Sequence, residues 1–267
     1  MTIAVSIKIN DGIVLAADSA MAVINRDGKA SNVYNNSTKI YKITRKLRTG
    51  ITSWGAGRLK GKSIENIIHE FNYKLKSGEL NFDLSTYTVK NIADLLKDFI
   101  YNNYYKTEPT DRIAIQSINQ NCLFGCIVTG YDFDDSMKTY VIKIEGEKKV
   151  SIPTHDAISY GGEVEPIERL INGYSQLMHE RLTKRMPEEQ INGTNSLFNI
   201  VKKEVKNNFT DPGMPLQDAI DLARFLVKTA IGYRRFSCGS KTIGGHCDTA
   251  VITKNDGFTW ISKKKLK

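Results

Sequence analysis

TIAVSIKINDGIVLAAD, residues 2–18, places two short runs rich in β-branched side chains, IAVSIKI at 3–9 and GIVLAA at 12–17, on either side of Asn10-Asp11-Gly12. β-Branched residues suit a pleated, half-buried surface, and Asp-Gly supplies the positive backbone angles that a tight hairpin turn requires. The chain therefore opens with an antiparallel strand pair. The same stretch begins with a residue able to carry chemistry. Aminopeptidases trim an initiator Met when the next residue is small, so the processed chain would present the Thr2 hydroxyl beside a free α-amine. A hydroxyl is a weak nucleophile until a base takes its proton, and an adjacent N-terminal amine can be that base. Such an amine titrates at about 7.7–8.0, which leaves a useful fraction neutral near pH 7.

Working outward, a polar loop at 19–37 precedes a second strand pair at 39–43 (KIYKI) and 50–54 (GITSW), punctuated by Gly55-Ala56-Gly57. Ile64, Ile67, Ile68, Phe71 and Leu75 recur at helical spacing within 61–76, and 87–105 forms a second amphipathic helix capped near Ser85 or Thr86. Strands return at 121–130, 138–145 and 156–160, followed by helices at 164–184, 195–207 and 216–236. Strands at 247–253 and 257–261 close the chain around Asn255-Asp256-Gly257. Strands do not alternate singly with helices, so a parallel doubly wound sheet is excluded. Two antiparallel sheets packed face to face, each covered outside by helices, satisfy the order. The expected class is α+β, a four-layer αββα sandwich. No linker or internal repeat divides it, so residues 1–267 read as a single domain.

Of the 267 residues 40% are hydrophobic and 25% charged, the balance of a globular protein. No apolar run reaches the roughly 18 residues of a membrane span, and no basic stretch followed by an apolar one marks a signal peptide. Cys122, Cys126, Cys238 and Cys247 lack disulfide-framework or zinc spacing, which fits a reducing cytoplasm with no metal and no cofactor. The formal charge is +9, with one dense run, Lys263-Lys264-Lys265-Leu266-Lys267. Aromatic residues do not interleave with that run as nucleic-acid binding would require. It reads as a solvated basic surface and tail, with an acidic partner surface as the alternative. Ala56-Gly57-Arg58-Leu59-Lys60-Gly61-Lys62-Ser63 approximates a phosphate loop, but Ala56 replaces its first glycine and no later strand supplies a magnesium-holding Asp in a βαβ unit. It reads instead as a basic helix start.

Thr2 through Asp18, then Lys39-Ile40-Tyr41-Lys42-Ile43, then Gly50-Ile51-Thr52 leading to Gly55, resemble the proteasome β-type family of N-terminal-nucleophile (Ntn) hydrolases, including its simpler bacterial members. The likeness continues weakly at Thr129-Gly130-Tyr131-Asp132 and Lys138-Thr139-Tyr140, and returns at Gly244-Gly245 and Asp248-Thr249-Ala250-Val251-Ile252-Thr253, with 185–213 looking like a helical insertion. The resemblance implies a threonine-type endopeptidase in which Thr2 attacks, Asp18 orients Lys39, Lys39 polarises hydroxyl and amine, and the Gly55 N–H meets the oxyanion. It implies a substrate pocket near Met21, Ser53 and Gly57, where small Ser53 and Gly57 leave room for a sizeable side chain. It implies a homo-oligomeric ring or related assembly, peptide or unfolded-protein substrates, and a separate ATPase unfoldase. Where the family carries polar residues that buttress the amine, this chain has Tyr160, Ser240 and Ile243. Two other readings stay open: a non-catalytic structural or partner-binding subunit, and an Ntn amidase acting on small amides.

Overall fold

The computed structural model describes residues 2–25, 30–44, 47–106, 124–239 and 241–265. Met1, Cys122, Ser240, Leu266 and Lys267, which figure in the sequence reading, lie outside them.

The opening hairpin forms as its turn chemistry dictates, with β1 (Ile3–Ile9) paired antiparallel to β2 (Gly12–Ala17). Side chains alternate across a strand. On one face Ile3, Val5, Ile7, Ile9, Val14 and Ala16 join an apolar cluster with Ala219, Ile220, Ala223, Leu226, Val227 and Ala230 of a long helix. On the other, Ile13, Leu15 and Ala17 meet Ile40 and Tyr131, and Ala4 meets Trp54 and Ile127. Both faces of this hairpin are therefore covered, which explains its nearly continuous apolar text.

The first sheet runs β12 (Ile158–Gly162), β1, β2, β13 (Asp248–Thr253), β14 (Gly257–Ser262). The second runs β11 (Lys148–Pro153), β10 (Met137–Glu145), β9 (Phe124–Tyr131), β6 (Thr49–Gly55), β5 (Ile40–Lys42). Every pairing between neighbouring strands is antiparallel. Contacts between the sheets join β1 and β2 to β6, and β12 to β9. Helices α1 (Ile64–Ser77) and α2 (Val89–Ile100) bury their apolar stripes with the second sheet, and α6 (Leu216–Phe236) lies on β1 and β2. The remaining helices are α3 (Glu165–Asn172), α4 (Gln176–Thr183) and α5 (Glu188–Val205), the last lying within the stretch read as an insertion. The result is a mixed α/β chain of antiparallel sheets and helices. Among the described residues no helix is long and apolar enough to cross a membrane.

Several local expectations are corrected. The polar loop at 19–37 contains a hairpin, β3 (Met21–Ile24) with β4 (Ala30–Tyr34). β4 buries none of its residues fully, so no alternation marked it. Residues 58–63 form a small hairpin, β7 (Arg58–Leu59) with β8 (Lys62–Ser63), so α1 starts at Ile64 with Ser63 as its cap. Thr88, rather than Ser85 or Thr86, caps α2, because Asp83 already engages both Ser85 and Thr86. The run 164–184 breaks where Gly173 turns left-handed at φ 75° and Ser175 caps a new helix. β11 was not anticipated, since its KKVSIP text combines charge with a terminal proline.

Trp54 sits between the sheets, where Gly125 and Gly161 make way for its ring. A Cβ on Gly125 would lie 2.2 Å from the indole, and one on Gly161 2.6 Å. Gly193, inside α5, has no neighbouring atom within 4 Å of such a Cβ. Gly125→Ala is thus expected to destabilise the fold by about 1–3 kcal/mol through overpacking. Gly193→Ala should stabilise it by about 0.5–1 kcal/mol through lost unfolded-state entropy. Urea unfolding of the two variants checks the opposite signs.

Candidate active site

Asp18 follows β2 directly and is fully buried. Its Oδ1 accepts from Ile3 N at 3.0 Å and Lys39 Nζ at 2.7 Å, and its Oδ2 from Ala20 N at 3.1 Å and Gly244 N at 3.0 Å. Four donors saturate both oxygens, so the group serves purely as an acceptor, as an ionised carboxylate does. Lys39 immediately precedes β5, and its side chain is only 7% exposed. Its carbonyl accepts from Ser53 N at 2.9 Å, which locks the lysine backbone to β6. Burial holds the Lys39 ammonium below the usual lysine range, and Asp18 offsets part of that shift.

Thr2 is buried and fixed from both sides. The next amide, Ile3 N, donates to Asp18, while the Thr2 carbonyl accepts from Glu163 N at 2.7 Å. Gly162 makes that approach possible: it adopts φ 99°, and a Cβ there would lie 1.9 Å from the Thr2 carbonyl oxygen. Gly55 ends β6 at φ 85°, a left-handed turn that glycine adopts without a Cβ penalty. A cleft of about 350 Å³ brings Thr2, Lys39 and Gly55 together with Met21, Ser53 and Gly57, while Asp18 lies beneath as support for Lys39. The room expected beside Gly57 is taken up in part, because the Met21 Sδ lies 3.0 Å from where a Gly57 Cβ would stand.

Sequence reasoning missed a second ion pair beside the first. Lys264 Nζ reaches Asp248 Oδ2 at 2.5 Å and the Ser37 carbonyl at 3.0 Å, and Lys264 N donates to Asp248 Oδ1 at 2.9 Å. Lys264 is 8% exposed and Asp248 1%. The basic tail is therefore partly structural, tying the C-terminal strand to the segment that leads into Lys39. The available signal was an Asp opening the apolar strand DTAVIT, since a buried carboxylate needs a cation or several donors. Glu65 was missed as well. It is half-buried in the first turn of α1, lines the cleft, and has no ion pair or hydrogen bond to its carboxylate among the described residues.

The other singled-out positions fall elsewhere. Ile243 is buried in the apolar cluster under α6, and burial pushes the Tyr160 phenol up to about 12. Neither supplies an ionised group near Thr2. In the phosphate-loop-like stretch, Lys62 Nζ pairs with Glu70 Oε2 at 2.8 Å on the surface. Among the described residues no group of three or more His, Cys, Asp or Glu could hold a metal ion.

No family model matches the chain, and no curated protein does. Solved structures do share its fold. Anbu (ancestral beta-subunit) from Yersinia bercovieri superposes with a TM-score of 0.55 at 11% identity, covering 98% of this chain and 88% of that one. An Anbu (Gly-1) mutant from Hyphomicrobium sp. strain MC1 gives a TM-score of 0.56 at 16% identity, covering 99% and 86%. These findings overturn the assignment to proteasome β-type subunits. The residues behind it are few and lie mostly in the first strands, and Tyr160 and Ile243 replace polar groups of that pattern. The chain shares its fold with these Anbu structures.

Proposed function

We propose that the chain is an Anbu-like, hydrolase-type subunit that cleaves peptide bonds through Thr2, once Met1 has been removed. The observation that carries this reading is the Lys39–Asp18 pair in the wall and floor of the cleft that also holds Thr2 and Gly55. The Thr2 Oγ attacks the substrate carbonyl while the α-amine takes the hydroxyl proton. The Gly55 N–H receives the developing oxyanion. The amine then returns its proton to the leaving nitrogen, and water releases the acyl group by the same route in reverse. The Lys39 cation favours the neutral amine and the alkoxide, so one charge helps both partners. Met21, Ser53 and Gly57 line the substrate pocket. The layering that suits this chemistry is αββα in a single domain, supported by α6 on the first sheet, the helices on the second, and the contact between sheets. An oligomer fed by a separate unfoldase, in a cytoplasmic setting, goes with the same reading. A non-catalytic subunit is the second reading, favoured by apolar Ile243 and the partly buried Tyr160 in place of polar groups.

Intact-mass analysis after treatment with an acylating, threonine-directed inhibitor separates the two. The expected outcome is loss of Met1 and one adduct on the mature chain, absent from Thr2→Ala. Retained Met1, or an unlabelled Thr2, would move the assignment to the non-catalytic subunit, and turnover of small amides alone would move it to an amidase. Lys39→Ala should lower peptide turnover by about 100–1,000-fold, the range for losing one electrostatic stabiliser of the developing charge. It should also cost about 3–5 kcal/mol, because it leaves the Asp18 charge buried without its cation. In the wild type kcat/KM should fall as pH drops through the amine's titration, since protonation removes the base.

Glu65 gives the pocket a direction. Peptides with lysine or arginine at the subsite beside it should be cleaved faster than those with leucine. Glu65→Gln should narrow that ratio about tenfold, the loss of one charge-assisted hydrogen bond. A ratio unchanged by the substitution in steady-state assays would remove Glu65 from substrate selection.

A further inference from the structure

The two sheets are offset. β12, the edge strand of the first sheet, packs over β9 and β6, so β10 and β11 of the second sheet run beyond it. Ile142 and Ile144 of β10 point outward into the apolar cluster under α2. The alternate residues Met137, Val141 and Lys143 therefore face the first sheet's side. The register sets Ile152 opposite Val141, and Ile152 is 50% exposed. A cleft of about 750 Å³ occupies the place where a sixth strand of the first sheet would lie.

The charge around this cleft is one-sided. Lys8, Lys143, Lys202 and Lys206 line it against a single carboxylate, Asp156. Lys8 is half-buried while Lys143, Lys202 and Lys206 are exposed, and none of the four forms an ion pair within 4.0 Å among the described residues. Burial and the neighbouring Lys138 hold the Lys8 ammonium below its usual range, with Asp156 opposing them. An incoming anion would relieve this imbalance. A second copy of a chain with formal charge +9 would not.

We propose that this cleft receives an extended acidic segment of another protein, which pairs with the free edge of β12 and covers β10 and β11. An unpaired edge offers a row of backbone donors and acceptors to such a strand. Alternate side chains of the guest would then point down onto Val141, Ile152 and the neighbouring Lys143, or outward to Lys202 and Lys206 at the end of α5. Apolar residues suit the first set and carboxylates the second, where charge-assisted hydrogen bonds reward them. The site is independent of the Thr2 cleft and does not require the chain to be an enzyme.

Fluorescence anisotropy with a labelled peptide of about ten alternating valine and glutamate residues, long enough to span β12, tests this proposal on the full chain. The expected result is saturable binding that weakens with added salt, at least about tenfold tighter than for the lysine counterpart. A central proline in the peptide should weaken binding about tenfold or more, since it cannot donate to a ladder. The triple variant Lys143→Glu, Lys202→Glu, Lys206→Glu should lose about 100-fold in affinity for the acidic peptide and gain for the basic one. Ile152→Asp, at a half-exposed position that folding tolerates, should weaken binding without lowering the thermal midpoint. Equal binding of the two peptides, indifference to proline, or full affinity in the triple variant would overturn the proposal. So would a cleft filled by self-association, detected as a mass that rises with protein concentration and blocks the peptide.

Discussion

The Asp18–Lys39 pair is the constraint on which the rest of the molecule converges. One carboxylate, set at the end of the first hairpin, gathers the start of β1 through Ile3, the turn at Ala20, the lysine before β5, and the Gly244 amide from the far end of the chain. Segments separated by more than 200 residues thus meet on two oxygen atoms. The ion pair by itself adds little to stability, whereas the three backbone donors need the carboxylate. Replacing a buried ion pair with well-packed apolar residues is often neutral or stabilising, because desolvating two charges costs several kcal/mol that their attraction only partly repays. The ammonium lies at the wall of the cleft that Thr2 also lines.

The second pair, Asp248–Lys264, extends the same argument. Lys264 spends one of its donors on the Ser37 carbonyl, two residues before Lys39. The backbone entering Lys39 is thereby held at Ser37 by the tail and at Ser53 N by β6. Lys264 also adds to the lowering of the Lys39 pKa through like-charge repulsion, behind burial and partly against Asp18. Position and electrostatics of the central lysine are set by residues far away in sequence, so the site is a property of the closed fold rather than of its first 57 residues.

What could be read in advance follows from which forces are local. The opening hairpin was legible because turn chemistry at Asp11-Gly12 and a two-residue period act within a few positions. Helix α6 was legible because its apolar stripe is long. β4 was not, since a strand exposed on both faces has no pattern to show, and the Thr88 cap was hidden because Ser85 and Thr86 were equally good candidates until Asp83 claimed them. Thr2, Asp18, Lys39 and Gly55 were named together through the family resemblance, and the fold does bring Thr2, Lys39 and Gly55 to one cleft, with Asp18 bonded behind Lys39. Lys264 and Glu65 were missed for one reason: in a single sequence, a lysine in a basic tail and a glutamate in a helix's first turn look like solvated surface. Only tertiary contact distinguishes them.

The low identity to the Anbu structures fits this division of labour. Positions under α6 and between the sheets need an apolar side chain of suitable volume, and cores accept many combinations that keep pattern and volume. Text can therefore drift while the sheets stay in place. The positions that cannot drift freely are those where backbone approaches backbone or ring. Gly162 lies under the Thr2 carbonyl, Gly161 and Gly125 lie against Trp54, and a Cβ on Gly245 would lie 2.7 Å from the Asn35 carbonyl oxygen. All four glycines frame the residues around Thr2, Trp54 and the loop leading to Lys39. In this chain the architecture thus sets a close-packed, glycine-lined cradle around Thr2 and Trp54.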